Sequence, residues 1–120
     1  MTKILAIDDS RTMRAMLESA LTEAGMDVDL AEDGVEGLEV LPGSAPDLVI
    51  TDINMPRLDG FGLIEGVRAK PENASLPILV LTTENGDALK QRARDAGATG
   101  WIVKPFDAEK LVAVINRLVV

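Results

Sequence analysis

The sequence predicts an α/β fold: a doubly wound, five-stranded parallel sheet with helices on both faces. Three observations carry this expectation. Short apolar runs recur along the chain, as in Ile4-Leu5-Ala6-Ile7, Leu48-Val49-Ile50 and Ile78-Leu79-Val80-Leu81. Runs this short, bounded by turn residues, suit strands buried on both faces. Between them lie stretches with apolar residues three and four apart, the period of an amphipathic helix. The connections are short, so strand and helix alternate as right-handed βαβ units.

The first strand covers residues 3–8. Ser10 is the N-cap of a helix with an apolar stripe of Met13, Met16, Leu17, Ala20, Leu21 and Ala24, and Gly25 is its left-handed stop. A strand at 27–31 follows, then a weak helix at 34–41 that Pro42-Gly43 should end. The third strand is 47–51. Asn54 to Gly60 form a loop, and Asp59 caps a helix carrying Phe61, Leu63, Ile64 and Val67. A polar connection from Pro71 to Pro77 leads to the fourth strand at 78–82. Residues 85–96 form a helix in which only Leu89, Ala93 and Ala96 face inward, stopped by Gly97. The fifth strand is 99–103. The last helix, from about residue 107, buries Ala108, Leu111, Val112, Ile115, Leu118 and Val119.

Composition narrows the function. The 120 residues show no linker, repeat or shift in composition, so one domain, 1–120, is expected. A hydrophobic content of 47% is enough for a core. A net charge of -8 argues against nucleic acid and anionic membranes, and favours cationic partners or a bound metal. With no Cys and no His, disulfides, zinc thiolates, a Ser-His pair and His-ligated metals are excluded. The start is no signal peptide, and no apolar run approaches the ~20 residues of a membrane span. A cytoplasmic monomer is expected, without a membrane partner, acting through its own surface.

The chemistry sits at strand ends. The first strand runs into Asp8-Asp9, the third into Asp52, the fourth into Thr82, and the fifth into Lys104-Pro105. In an open α/β sheet the carboxyl ends of the strands form the ligand crevice, so these groups should converge there. An acidic pair in a turn is commonly a solvated cap. A third Asp at another strand end, with a lysine at a further one, moves the balance to a site. Carboxylates ~4 Å apart repel by up to ~4 kcal/mol per pair at an effective dielectric near 20. A hard divalent cation relieves this, and oxygen-only ligands select Mg²⁺ or Mn²⁺. The Lys104 ammonium suits a phosphoryl group, and Thr82 offers a hydroxyl donor beside it. A carboxylate nucleophile, a metal, a cation and a hydroxyl fit phosphoryl transfer to an aspartate.

With Asp8-Asp9, Asp52, Met55-Pro56-x-x-Asp59-Gly60, Thr82, Trp101 and Lys104-Pro105 in this order and spacing, the chain resembles a response-regulator receiver domain of the CheY type. The resemblance implies strand order 2-1-3-4-5. It implies that Asp52 is the phospho-acceptor and that Asp9, Asp52 and the Asn54 backbone carbonyl ligate Mg²⁺, with Asp8 acting through water. It implies that Lys104 contacts one phosphoryl oxygen and the Thr82 hydroxyl another. Trp101 stands at the switching aromatic position, and Asn54 and Glu84 stand where the family tunes hydrolysis. It also implies a cis Lys104–Pro105 bond. Trp101 is bulkier than the usual Tyr or Phe. Thr83 stands where Ala is frequent and is expected to narrow access to the phosphoryl group.

The expectation is a phospho-aspartate switch that catalyses only its own phosphorylation and dephosphorylation. Its phosphodonor is a sensor histidine kinase, since the chain has no His. Its output is docking on a partner, the flagellar motor switch in chemotaxis. The fourth helix has the thinnest apolar stripe and a basic face of Lys90, Arg92 and Arg94, so the surface of the fourth helix, fifth strand and fifth helix is the expected docking face. A phosphorelay shuttle is the rival role. From other classes, an aspartate-nucleophile phosphatase would carry Asp-x-Asp after the first strand and a cap for substrate. A flavin-binding module would carry a Ser/Thr/Gly phosphate loop where this chain has Asp8-Asp9.

Overall fold

The computed structural model describes residues 1–119. The strands are β1 (Lys3–Ile7), β2 (Asp27–Ala31), β3 (Leu48–Thr51), β4 (Ile78–Thr82) and β5 (Gly100–Val103). The helices are α1 (Arg11–Glu23), α2 (Gly34–Ser44), α3 (Gly60–Arg68), α4 (Asp87–Ala96) and α5 (Ala108–Leu118), with a 3₁₀ turn at Pro71–Asn73. The strands form one parallel sheet of order β2-β1-β3-β4-β5. β1 pairs β3 from Ile4 opposite Leu48 to Ile7 opposite Thr51, so Asp8 and Asp52 leave the sheet side by side.

Strand alternation divides the core into two layers. Leu5, Ile7, Val49, Ile78 and Val80 face a layer completed by α2, α3 and α4 through Leu41, Phe61, Leu63, Ile64, Val67 and Ala93. Ile4, Ala6, Leu48, Ile50, Leu79 and Leu81 face the opposite layer, closed by Leu17 and Leu21 of α1 and by Leu111 and Ile115 of α5. Because both faces are covered, the central strands lack polar residues until they reach the crevice.

Caps explain most boundaries. Ser10, Asp33, Asp59 and Asp107 each accept a backbone N–H from the first turn of the helix that follows. Gly97, at φ 117°, stops α4. Gly60 begins α3 against the carboxyl end of β3, where a Cβ would overlap the Asp52 carbonyl oxygen.

Four expectations are corrected. Pro42 lies inside α2 and does not end it. It removes one donor in the last turn, while burial of Leu41 and Ser44 holds that turn until Ala45 turns left-handed at φ 46°. α4 begins at Asp87 with Gly86 at its cap and no side-chain acceptor, so the loop after β4 is longer than the pattern suggested. Ala108 is exposed, because Asp107 caps the helix at the surface before the stripe turns inward at Leu111. Met16 and Ala24 are likewise exposed, since Leu17 and Leu21, with Met13 partly buried beside them, fill the line of contact with the sheet.

Candidate functional site

The carboxyl ends of β1, β3 and β5 bring Asp8, Asp52 and Lys104 together. Asp8 is 1% exposed and Asp52 7%. Lys104 Nζ donates to Oδ2 of Asp8 and to Oδ2 of Asp52, each at 2.8 Å. The second oxygen of each carboxylate is fixed by backbone: Ser10 N–H donates to Asp8 Oδ1 at 2.9 Å, and Ile53 N–H to Asp52 Oδ1 at 2.6 Å. Burial pulls the Lys104 pKa down, but its bonds to Asp52 and Asp8, and their charges, outweigh this and hold it above the ordinary lysine value.

Asp9 is exposed at the mouth, and one carboxylate oxygen from each of Asp8, Asp9 and Asp52 lies within 4.8 Å of the others. Three carboxylates against one ammonium leave a local charge of two, which a divalent cation neutralises. The donors are all oxygens, and the chain has neither His nor Cys. The set therefore fits a hard cation such as Mg²⁺ or Mn²⁺ and is unsuited to zinc thiolate chemistry.

Asn54 and Glu84 meet across the mouth: Asn54 Nδ2 donates to Glu84 Oε1 at 3.2 Å. The Glu84 backbone carbonyl accepts from Trp101 Nε1 at 3.1 Å, so the half-buried indole is tied to the loop after β4. Thr82 is fully buried at the end of β4, and its hydroxyl accepts from Glu84 N–H at 3.4 Å. Thr83 is exposed beside it. The Lys104–Pro105 bond is cis. Asp8, Asp9, Asp52 and Lys104 thus meet in one crevice, and Asn54, Glu84 and Trp101 are linked to one another by hydrogen bonds beside it.

The basic face of α4 is divided. Lys90 and Arg94 border a small cleft with Trp101, whereas the Arg92 guanidinium stacks over Phe61 of α3, 3.9 Å from the ring centroid. Arg92 therefore belongs to the α3–α4 contact.

Two supports were not foreseen. Arg14, one turn into α1, donates from Nη1 to the Asp8 carbonyl at 2.7 Å and holds the end of β1. Arg57 pairs with Asp33 through two bonds, Nε to Oδ2 at 2.7 Å and Nη2 to Oδ1 at 3.1 Å. The bond to Arg57 holds the Asp33 pKa below the ordinary carboxylate value, and Asp33 in turn raises that of Arg57. The only local signal was an Arg following Pro in a loop; nothing in the sequence places residue 33 beside residue 57.

The model of the response regulator receiver domain family matches residues 4–116. A probable chemotaxis protein CheY from Rhizobium etli is 39% identical over 97% of this chain and 91% of its own length. The response regulator MprA of Mycobacterium leprae is 41% identical, and there this chain spans about half the relative's length, 50%. The structure of Vibrio cholerae chemotaxis protein CheY4 superposes with a TM-score of 0.94 at 42% identity, covering 98% of both chains.

Proposed function

This chain belongs to the response regulator receiver domain family, the CheY-like phospho-acceptor module of two-component systems, and from that premise we propose that Asp52 accepts a phosphoryl group from a histidine kinase and that the phosphorylated form docks on a partner. The observation that carries this reading is the sharing of one ammonium by Asp8 and Asp52 beside Asp9. Asp9, Asp52 and the Asn54 backbone carbonyl would hold Mg²⁺ or Mn²⁺, with Asp8 acting through water, and the ion would supply neutralisation of the phosphoryl charge.

The protein's own groups do the rest. Asp52 Oδ2 attacks phosphorus, the N–P bond of the donor breaks, and the donor imidazole leaves. Lys104 exchanges its bond to Asp52 for one to a phosphoryl oxygen, a motion allowed by its flexible stem. The Thr82 hydroxyl gives up the weak Glu84 N–H contact and donates to another phosphoryl oxygen. Asn54 and Glu84 flank the path by which water attacks the acyl phosphate, so the chain catalyses its own phosphorylation and its own resetting. Incubation with acetyl phosphate and Mg²⁺, followed by intact mass, tests the assignment. Wild type gains one phosphoryl group; an Asp52→Asn variant gaining it at the same rate overturns the assignment.

Output runs through α4, β5 and α5, and the partner is the flagellar motor switch, in the manner of a cytoplasmic chemotaxis regulator. Similarity to the Rhizobium etli and Vibrio cholerae CheY proteins over nearly their whole lengths supports this reading. The half-length match to MprA favours a second reading, a receiver of the kind that forms part of a longer regulator. Lys90 and Arg94 beside Trp101 suit an acidic docking segment. A coupling of ~1–3 kcal/mol between phosphorylation and docking corresponds to ~5–150-fold tighter binding of the activated form. Titrating a motor-switch peptide against beryllofluoride-treated and untreated protein measures it. Equal affinity, or a footprint on α1, favours a phosphorelay shuttle.

A further inference from the structure

We infer that Asp33 and Arg57 form a positioning clamp for the loop between β3 and α3, and that this clamp sets affinity for the divalent cation without taking part in phosphoryl transfer. The inference rests on the metal site read above.

The loop carries Asn54, and its course is fixed at two points. At its base, Gly60 N–H donates to the Ile53 carbonyl at 2.8 Å, an approach open only to a residue without Cβ. At its tip, Leu58 N–H donates to the Pro56 carbonyl at 2.7 Å, closing a tight turn centred on Arg57. Arg57 sits at φ 67°, a left-handed conformation unfavourable for a long side chain. Within the turn, one short backbone bond, from Leu58 N–H to the Pro56 carbonyl, supports that conformation. The Asp33 carboxylate adds a second support, by taking both Nε and Nη2 of the guanidinium.

Asp33 is itself immobilised. It is 4% exposed, and its Oδ1 also caps α2 by accepting Glu36 N–H at 2.9 Å. Beside it, Gly34 N–H donates to the Leu58 carbonyl at 3.1 Å, and a Cβ on Gly34 would overlap that oxygen. Loop tip and helix start are therefore in backbone contact, and the ion pair closes over that contact. Asn54 hangs between the pinned base and the pinned tip. Releasing the tip frees the segment whose Asn54 carbonyl would hold the metal, while Asp52, Lys104 and Thr82, at the strand ends, stay in place.

The test uses Asp33→Asn, which keeps a capping side chain, and Arg57→Ala, with Mg²⁺ titrations followed by Trp101 fluorescence and phosphorylation followed by intact mass. Each variant should bind Mg²⁺ about tenfold more weakly, the low end for groups that orient metal ligands. The double variant should be no weaker than either single one. At saturating Mg²⁺ each should phosphorylate at the wild-type rate, and Arg57→Lys should recover part of the affinity. In metal-free protein the amides of Asn54, Met55, Arg57 and Leu58 should exchange faster in both variants. Leu38→Ala, which loosens α2 away from the loop, should leave Mg²⁺ affinity unchanged. Wild-type affinity in both variants, additive losses, or an equal loss in Leu38→Ala overturns the clamp and leaves the metal site standing. Failure of wild type to bind Mg²⁺ overturns both.

Discussion

Asp8 and Asp52, from neighbouring strands, share a single ammonium: Lys104 Nζ lies 2.8 Å from Oδ2 of each. The cation thus occupies the very oxygen of Asp52 that the proposed reaction uses as nucleophile. Its two ion pairs are nearly enclosed, with 10% of the Lys104 side chain exposed, and opposed charges interact far more strongly there than at a free surface.

Lys104→Met should therefore lower stability in metal-free protein by about 1–3 kcal/mol, because two buried carboxylates lose a charged partner. Mg²⁺ should then raise the melting temperature of this variant more than that of wild type, since it supplies the missing positive charge. Thermal unfolding with and without Mg²⁺ measures both effects. Equal increments in the two proteins would show that ammonium and metal do not serve the same carboxylates.

Trp101 is the only Trp, and there is no Tyr, so emission reports one position. Its indole N–H is bonded to the Glu84 carbonyl at 3.1 Å, and Glu84 is bonded through its side chain to Asn54. We expect the spectrum to change on adding Mg²⁺ and again on adding beryllofluoride. A spectrum indifferent to both, with binding established by calorimetry, would separate the ring from the crevice.

Asn54→Leu and Glu84→Leu should each lengthen the phosphoryl lifetime while leaving acceptance intact. Since the two side chains bond each other at 3.2 Å, the double variant should decay at a rate close to the slower single variant, short of the product of both effects. Autodephosphorylation followed by mass gives the rates; wild-type decay in both single variants places control of hydrolysis elsewhere.

The Asp33–Arg57 pair has a defined pH signature. The folded-state pKa of Asp33 is depressed, so its stabilising contribution is complete above the unfolded carboxylate value of about 3.9 and is lost as pH falls below it. For Lys104 the net shift is upward, so its contribution is complete below about 10.4 and fades only as pH rises beyond it. Urea midpoints across pH should show Asp33→Asn converging on wild type in acid and Lys104→Met converging on it in alkali. Convergence of both at neutral pH would break the assignment.

Much of this was legible in the sequence because the strands are short and wholly apolar. The limits expected for β2 and β4 coincide with those observed. The site was legible because strand ends are fixed by the same pattern, so Asp8, Asp52 and Lys104 could be assigned to one crevice before their distances were known. Where the sequence misled, tertiary contact decided. Pro42 is tolerated because Leu41 and Ser44 are buried around it. Met16 matches the helical period of α1, yet is 47% exposed because the sheet beneath is filled by Leu17 and Leu21. Arg92 seemed part of a solvated basic face, and only the position of Phe61 reveals its role.

Glu84 touches its two neighbours through different parts of itself: its carboxylate meets Asn54, and its main-chain carbonyl meets the indole of Trp101. A substitution can erase the first contact and leave the second chemically intact. If Asn54 and Glu84 govern resetting and Trp101 governs docking, as proposed, duration and destination of a signal are then separately heritable. Such a regulator can be retimed, by natural drift or by engineering, without relearning whom it addresses.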